Sequence, residues 1–325
     1  MSQPVKNVAI VGAGGHIGGY IANALIEQGK HTVTAITRSD SSSTLPNGLH
    51  DIKKVDYNSH SSLVDALKGQ DVLIISMNVT APKDSQTKLI DAAVEAGVRW
   101  IMPNEYGGDY SNEHISKDTG LGPGIRAVRR YIEQKGGDKT SWVGLACGFW
   151  YEYSLSGAEL RYGFDIPKRT LTMFDDGTVK HTVSTWPQVG RAAAKLLALP
   201  ETGSGASLSD WKNKAVYVGS FTLSQKDMYE SLQRVTGTKE SDWTITHENA
   251  EERFERGQGL FKQGNFVGFG IFLYARVFFP DALGDMSNLL DNEKLGLPEE
   301  SLDEATKVAV EYRESGRAKE WSMGQ

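Results

Sequence analysis

The chain has a single cysteine, Cys147, among its 325 residues. One thiol cannot build an intrachain disulfide framework or a cysteine-based zinc cluster, and this usage fits a reducing compartment. A basic surplus is also missing. The 35 Lys and Arg face 41 Asp and Glu, for a net charge of −6, and binding nucleic acid as a main partner would require a basic surface. Long hydrophobic runs are absent too. The longest, Phe266 to Phe279, covers 14 residues and contains Arg276. It is too short to span a bilayer, so no membrane partner is expected and the run reads as a buried or pocket-lining helix. The start of the chain goes straight into a β-rich run without an apolar signal segment, which leads us to expect a cytoplasmic protein. Gly-x-Ser-x-Gly does not occur, so no hydrolase elbow is indicated. His16, His181 and His247 are scattered without a spaced second ligand, and no metal site is expected.

What is present is an alternation of strand and helix patterns. Val8 to Val11, Thr32 to Thr37, Ile52 to Val55, Asp71 to Ser76, Trp100 to Pro103 and Trp142 to Ala146 read as short apolar or β-branched strands. Helical spacings fall between most of them: Ile17 to Gln28, Ser61 to Leu67, Lys83 to Ala96 and Pro123 to Lys135. Such alternation predicts right-handed βαβ units and a Rossmann-type, doubly wound parallel α/β sheet. After Gly148 the rhythm changes. Leu171 to Phe174 and His181 to Ser184 flank Asp175-Asp176-Gly177, which reads as a β-hairpin. Helices are expected over Pro187 to Leu199 and Ser224 to Val235, with a strand at Ala215 to Val218. The expected division is a nucleotide-binding domain over 1–157, drawing in 186–222, and a smaller α+β substrate lobe from 158–185 and 223–325. A monomer or homodimer is compatible with this pattern.

The chemical signal is strongest at the first turn, Gly12-Ala13-Gly14-Gly15-His16-Ile17-Gly18. Gly12 permits a tight turn off the first strand, Gly15 a close approach to a pyrophosphate, and Gly18 close packing of helix on sheet. The helix start, from His16 and Ile17, then presents free N–H groups to the phosphates. The second strand ends at Arg38-Ser39 with no acid before it. An acid there would repel a 2′-phosphate, whereas a guanidinium pairs with it through two hydrogen bonds, so NADP(H) is expected rather than NAD(H). In doubly wound folds the ligand lies beyond the carboxyl ends of the strands. Asp56, Ser76, Met77, Asn104, Cys147, Gly148 and Phe149 follow those ends and are the further cofactor candidates.

Several segments in order resemble the NmrA-like, isoflavone reductase-like group of atypical short-chain dehydrogenases, which includes phenylcoumaran benzylic ether reductases. They are the glycine loop, Arg38, Pro103 to Gly107, Arg129 to Glu133, Cys147 to Phe149, Asp175 to Gly177 and Trp186 to Gly190. The resemblance covers about residues 7 to 237. It implies reduction by NADPH, with a catalytic lysine four residues before the first arginine of the Arg129-Arg130 pair. That position is Ile125. Arg126 beside it cannot act as a base near neutral pH, and Lys117 lies in the preceding loop. Tyr131 and Lys135 have a Tyr-x-x-x-Lys spacing, but at the wrong end of their helix for the cofactor.

With that lysine missing, Glu105, Tyr106 and Tyr151 are the candidate acid/base groups; burial beside an apolar pocket would raise the Glu105 pKa. Trp150, Tyr153, His181 and Trp186 are candidate walls of a cavity for a flat aromatic or hydrophobic substrate. Three functions fit: an NADPH-dependent reductase of secondary metabolism, a same-fold enzyme of non-redox cyclisation or isomerisation, and an NmrA-type dinucleotide sensor. The cofactor reading has a direct test. Arg38→Asp should weaken NADP⁺ binding at least about tenfold more than NAD⁺ binding, as one charged pair is worth, measured by fluorescence titration; equal losses would refute the phosphate assignment.

Overall fold

The computed structural model describes residues 2–78 and 81–320. The first half builds β1 (Asn7–Val11), α1 (His16–Gln28), β2 (Thr32–Arg38), β3 (Asp51–Val55), α2 (His60–Leu67), β4 (Val72–Ile75) and α3 (Ser85–Ala96). It continues with β5 (Trp100–Met102), α4 (Glu113–Asp118), α5 (Gly122–Gly136) and β6 (Ser141–Ala146). The second half holds β7 (Phe149–Trp150), α6 (Tyr151–Leu155), β8 (Phe164–Asp165), β9 (Thr170–Phe174), β10 (His181–Ser184), α7 (Trp186–Leu197), β11 (Lys214–Tyr217) and β12 (Phe221–Leu223). It ends with α8 (Gln225–Thr236), β13 (Thr244–Glu248), α9 (Ala250–Lys262), α10 (Val267–Ala275), α11 (Asn292–Leu295), α12 (Leu302–Glu314) and α13 (Arg317–Glu320).

Seven strands form one sheet in the order β11-β6-β5-β4-β1-β2-β3, and every pairing in it is parallel. This is the doubly wound sheet expected from the alternation. Every residue of β4 and β6 is buried, because helices cover both faces of a parallel sheet and leave no wet side. Ile17, Ile21 and Leu25 of α1 pack with Val189, Ala193 and Leu197 of α7 on one face. On the other, Leu63 and Leu67 of α2 meet Leu89 and Ala93 of α3 and Ile132 of α5. The strand order reverses at β1, between β4 and β2, which opens a crevice beyond their carboxyl ends.

The proposed hairpin is corrected. β9 and β10 lie in different sheets: β9 pairs with β8 and β13, and β10 with β7 and β12. The Asp175–Gly177 turn is local, with Asp175 and Gly177 both at positive φ, but it serves a distant helix. The Asp175 carboxylate accepts from Asn249 Nδ2 at 2.6 Å and from the Ala250 N–H at 3.3 Å. Those bonds tie the turn to the start of α9, and β9 pairs in parallel with β13, the strand that precedes that helix.

A second core gathers Tyr151, Tyr162, Phe164, Phe174, Met228, Leu232, Tyr274, Phe278 and Ala309. The apolar run divides at its ends: Ile271, Phe272, Tyr274 and Phe278 are buried, whereas Phe266 is 73% exposed. No helix among the described residues is long and apolar enough to cross a membrane. The segment around α11 returns to the large sheet. Asp291 accepts from Trp211 Nε1 at 3.0 Å and from the Tyr217 N–H at 3.2 Å, and Gln188 Nε2 donates to Pro298 O at 2.9 Å. Residues beyond 223 therefore contribute to both cores.

Helices α1 and α7 approach closely because Gly190 has no side chain; a Cβ there would sit 2.5 Å from Tyr20 O. Backbone cannot yield cheaply at such a contact. Gly190→Val should destabilise the fold by about 1–3 kcal/mol, the usual range for overpacking, seen as a lower urea midpoint; an unchanged midpoint would refute this packing.

Candidate active site

The crevice beyond β1 is built by backbone. Gly12 takes φ +82, and a Cβ on it would fall 1.7 Å from Ser76 O at the end of β4. A Cβ on Gly18 would lie 2.1 Å from Gly12 O, and the Gly15 N–H donates to that oxygen at 2.8 Å. Turn, helix and neighbouring strand thus interlock at distances that only glycine allows. Gly14 is covered by the loop after β2, where a Cβ would meet Ser43 Cβ at 2.8 Å.

Gly15 is the N-cap of α1 and places no side chain over the helix start, and the Ile17 and Gly18 N–H groups have no acceptor among the described residues. They are free anion donors at the positive end of the helix dipole. A groove of about 220 Å³ beside them is lined by Gly14, Gly15, His16, Gly19, Tyr20 and Asn23. Burial pushes the His16 pKa down to about 4, so this ring adds no charge at neutral pH.

At the end of β2, Arg38 is exposed and its Nε lies 3.4 Å from Asp40 Oδ1. Ser39 and Asp56 are exposed at the same rim. The loops after β4 and β5 are stapled together: Asn104 Oδ1 accepts from the Met77 N–H at 3.1 Å, and Asn104 Nδ2 donates to Met77 O at 3.0 Å. Gln86 Oε1 accepts from the Asn104 N–H at 2.9 Å. Asn104 therefore shapes the crevice floor, a task visible only in the fold.

The three acid/base candidates are all engaged. Glu105 is buried, and Arg129 Nε and Nη2 hold its two oxygens at 2.9 and 3.0 Å. Burial lifts its carboxyl to about 6 while Arg129 pulls the other way, so above that pH it is the anion of a buried pair. Gly144 makes room for it: a Cβ there would sit 1.7 Å from Glu105 Oε1. Tyr106 donates its hydroxyl to Ile75 O at 3.1 Å, and burial pushes its pKa well up. Tyr151 points into the second core, with its hydroxyl 2.7 Å from Thr306 Oγ1, also raised by burial.

After β6 the chain turns at Gly148, φ +65, against Thr182 O. The Cys147 and Gly148 N–H groups both donate to Gly107 O, at 2.8 and 3.0 Å. Burial pushes the Cys147 thiol up to about 12, which leaves it no nucleophilic role at neutral pH. Phe149 stacks on Tyr274 at 4.3 Å between ring centres, and Trp150 packs edge-on to Tyr153 at 5.9 Å. Behind them, His181 Nε2 lies 2.9 Å from the Tyr162 hydroxyl, and Ser154 Oγ 2.9 Å from the Tyr274 hydroxyl. Burial depresses His181 to about 3, so it is neutral. Trp186 is apart from this group, buried between α1 and α7 with its ring 3.8 Å from His16. Tyr162, Ser154 and Tyr274 had no sequence signal beyond the aromatic run that contains Tyr274. Ile125 and Arg126 lie on the first turn of α5, where Arg126 Nη1 donates to Tyr110 O at 3.0 Å. Lys117, expected in a loop, instead sits exposed on the short helix α4, and Tyr131 donates its hydroxyl to Asp91 at 2.7 Å, away from the crevice.

This strand order, glycine interlock and amide-lined helix start are those of a Rossmann-type dinucleotide-binding fold. The chain belongs to the NmrA-like family, whose model matches residues 4–252. It is 30% identical over 306 residues to the oxidoreductase aprR of Aspergillus flavus, covering 91% of this chain and 96% of that one. It is 27% identical over 208 residues to phenylcoumaran benzylic ether reductase PT1 of Pinus taeda, covering 61% and 66%. Among solved structures, AtPrR2 with NADP⁺ and (+)-pinoresinol superposes with a TM-score of 0.75 at 22% identity, over 95% of this chain and all of that one.

Glu152 is buried and accepts the Trp186 N–H at 3.2 Å, and burial lifts its pKa from 4.5 to about 8. The folded protein keeps a proton that the unfolded chain releases, so stability falls as pH rises through about 4.5 to 8. Glu152→Gln removes that dependence. The variant should gain on the wild type between pH 5 and pH 8.5, by on the order of a few kcal/mol. Parallel unfolding midpoints across that range would refute it.

Proposed function

We propose that the chain is an NADPH-dependent reductase of a flat aromatic or hydrophobic small molecule, of the kind found in secondary metabolism. The observation that carries this reading is the interlocked turn of Gly12, Ser76 and Gly18, with the uncapped Ile17 and Gly18 amides beside it. A binding groove lined by glycine backbone suits a pyrophosphate. In this reading Gly14, Gly15, His16, Ile17 and Gly18 hold the pyrophosphate, and Arg38 with Ser39 holds the 2′-phosphate. Asp56, Ser76, Met77, Asn104, Cys147, Gly148 and Phe149 shape the walls. Bound there, NADPH supplies a hydride from C4 of its nicotinamide.

The chain's own residues then set the chemistry. Phe149, Trp150 and Tyr153, backed by His181, offer an aromatic wall that excludes water and orients a flat ring. Glu105 and Tyr151 hold neighbouring elements through Arg129 and Thr306, and Tyr106 props the end of β4 through Ile75. With Ile125 at the expected lysine position, and with Glu105, Tyr106 and Tyr151 each engaged elsewhere, none of these four positions delivers a proton. The reductase therefore acts on an acceptor electrophilic enough to take hydride unaided, and water supplies the proton afterwards.

The same engaged groups favour a second reading, a protein that holds NADP without consuming it, as a sensor or a non-redox cyclase or isomerase. The two separate cleanly. Titration with NADPH followed by absorbance at 340 nm, across a panel of aromatic enones and imines, should show both binding and oxidation of NADPH. Tight binding with no oxidation across the panel would overturn the reductase in favour of the second reading.

A further inference from the structure

Among the described residues four arginines are buried: Arg129, Arg161, Arg253 and Arg276. Three of them have carboxylate partners. Arg129 holds Glu105 at 2.9 Å, Arg253 holds Glu159 and Glu248 at 2.6 Å each, and Arg276 holds Asp118 at 2.7 Å and Asp281 at 2.8 Å. Arg161 is 7% exposed, as buried as Arg129, yet no described carboxylate lies within 4.0 Å of it. Its one side-chain hydrogen bond runs from Nη1 to Tyr153 O, and its guanidinium lies over the Tyr153 ring, 3.4 Å from the centre.

This cation is held in a defined place. Its stem folds against Gly157, where a Cβ would sit 2.1 Å from Arg161 Cδ. Among the described residues Nε and Nη2 have no acceptor and, unlike Nε of Arg253, they are not sealed from solvent. That is the same edge with which Arg129 grips both oxygens of Glu105. A guanidinium stays protonated at any working pH, and a buried charge without a partner is costly. A chain that supplies carboxylates to three buried arginines and withholds one from the fourth leaves a vacant bidentate donor.

Its surroundings point to the occupant. The charge of Arg161 is felt by the Tyr162 and Tyr274 hydroxyls, and Tyr274 stacks on Phe149. Tyr153, under the guanidinium, packs against Trp150. The free edge therefore belongs to the aromatic wall beyond the Gly148 turn. We infer that Arg161 anchors an acidic group of the substrate, a carboxylate or an equally delocalised oxyanion carried on an aromatic skeleton. This rests on the reading of that wall as the substrate side of a reductase. Two parallel N–H···O bonds would fix the anion, and stacking on the aromatic wall would orient the conjugated part.

The test uses the full chain saturated with NADP⁺ and two probes that differ only in charge, 4-hydroxycinnamate and 4-hydroxycinnamamide, titrated by calorimetry. The acid should bind at least about tenfold more tightly than the amide, as a charge-assisted pair implies. Arg161→Gln should bring the acid down to the level of the amide while leaving amide and NADP⁺ affinities unchanged, and Arg161→Lys should keep part of the preference. An acid that binds no better than the amide, including no binding of either up to its solubility, overturns the proposal. So does an acid-to-amide ratio that survives Arg161→Gln. Stability gives an independent readout. Arg161→Met breaks no ion pair and should unfold within about 4 °C of the wild type, the shift expected for under 1 kcal/mol, whereas Arg129→Met should fall much further. An equal fall in both would make Arg161 structural and overturn the proposal. Wild-type NADP⁺ binding is read separately, and its absence would count against the reductase rather than against the anion anchor.

Discussion

Everything at the crevice depends on one contact, the passage of Gly12 beneath the Ser76 carbonyl, just past the end of β4. With a Cβ placed 1.7 Å from Ser76 O, any other residue would force β1 and β4 apart. Gly18 then brings α1 down onto the turn, at 2.1 Å for its own absent Cβ. The result is a helix start fixed against the switch point of the sheet, its amides aimed outward. Charge plays little part in this geometry, which is why a chain of net charge −6 can still present an anion site: the donors are backbone.

The ionisable groups divide by what the fold asks of them. Glu105 and Arg129 satisfy each other in the core beside β6, and Glu152 is kept protonated by burial at the start of α7. Neither carboxyl is available to a substrate. The aromatic wall from Phe149 to Tyr274 is closed by tyrosine and serine hydroxyls that pair among themselves. Against that economy, the unpaired edge of Arg161 stands out as the place where the fold meets a ligand's charge.

Much of the large sheet was legible in the sequence because parallel strands buried on both faces read as continuous apolar runs, and Val72–Ile75 is as plain a case as any. The glycine loop was legible because its chemistry is local. The hairpin was not: Asp175–Gly177 has the residues of a turn, but Asn249 and Ala250, more than seventy residues on, decide what it joins. Glu105 read as an acid because a carboxyl near apolar residues invites that role, while its partner Arg129 lies 24 residues away on another element. Trp186 read as a pocket wall, yet it packs under α1. Arg161 gave no signal at all, since a missing counter-ion is a fact of tertiary structure.

The central claim is that hydride passes from a dinucleotide held on α1 to an aromatic acceptor with no side chain serving as acid. Isotope transfer tests it most directly. The protein is supplied in turn with each C4 diastereomer of deuterated NADPH and an acceptor it converts, and the product is weighed by mass spectrometry. The account predicts deuterium in the product from one diastereomer and none from the other. Conversion without deuterium from either would contradict it.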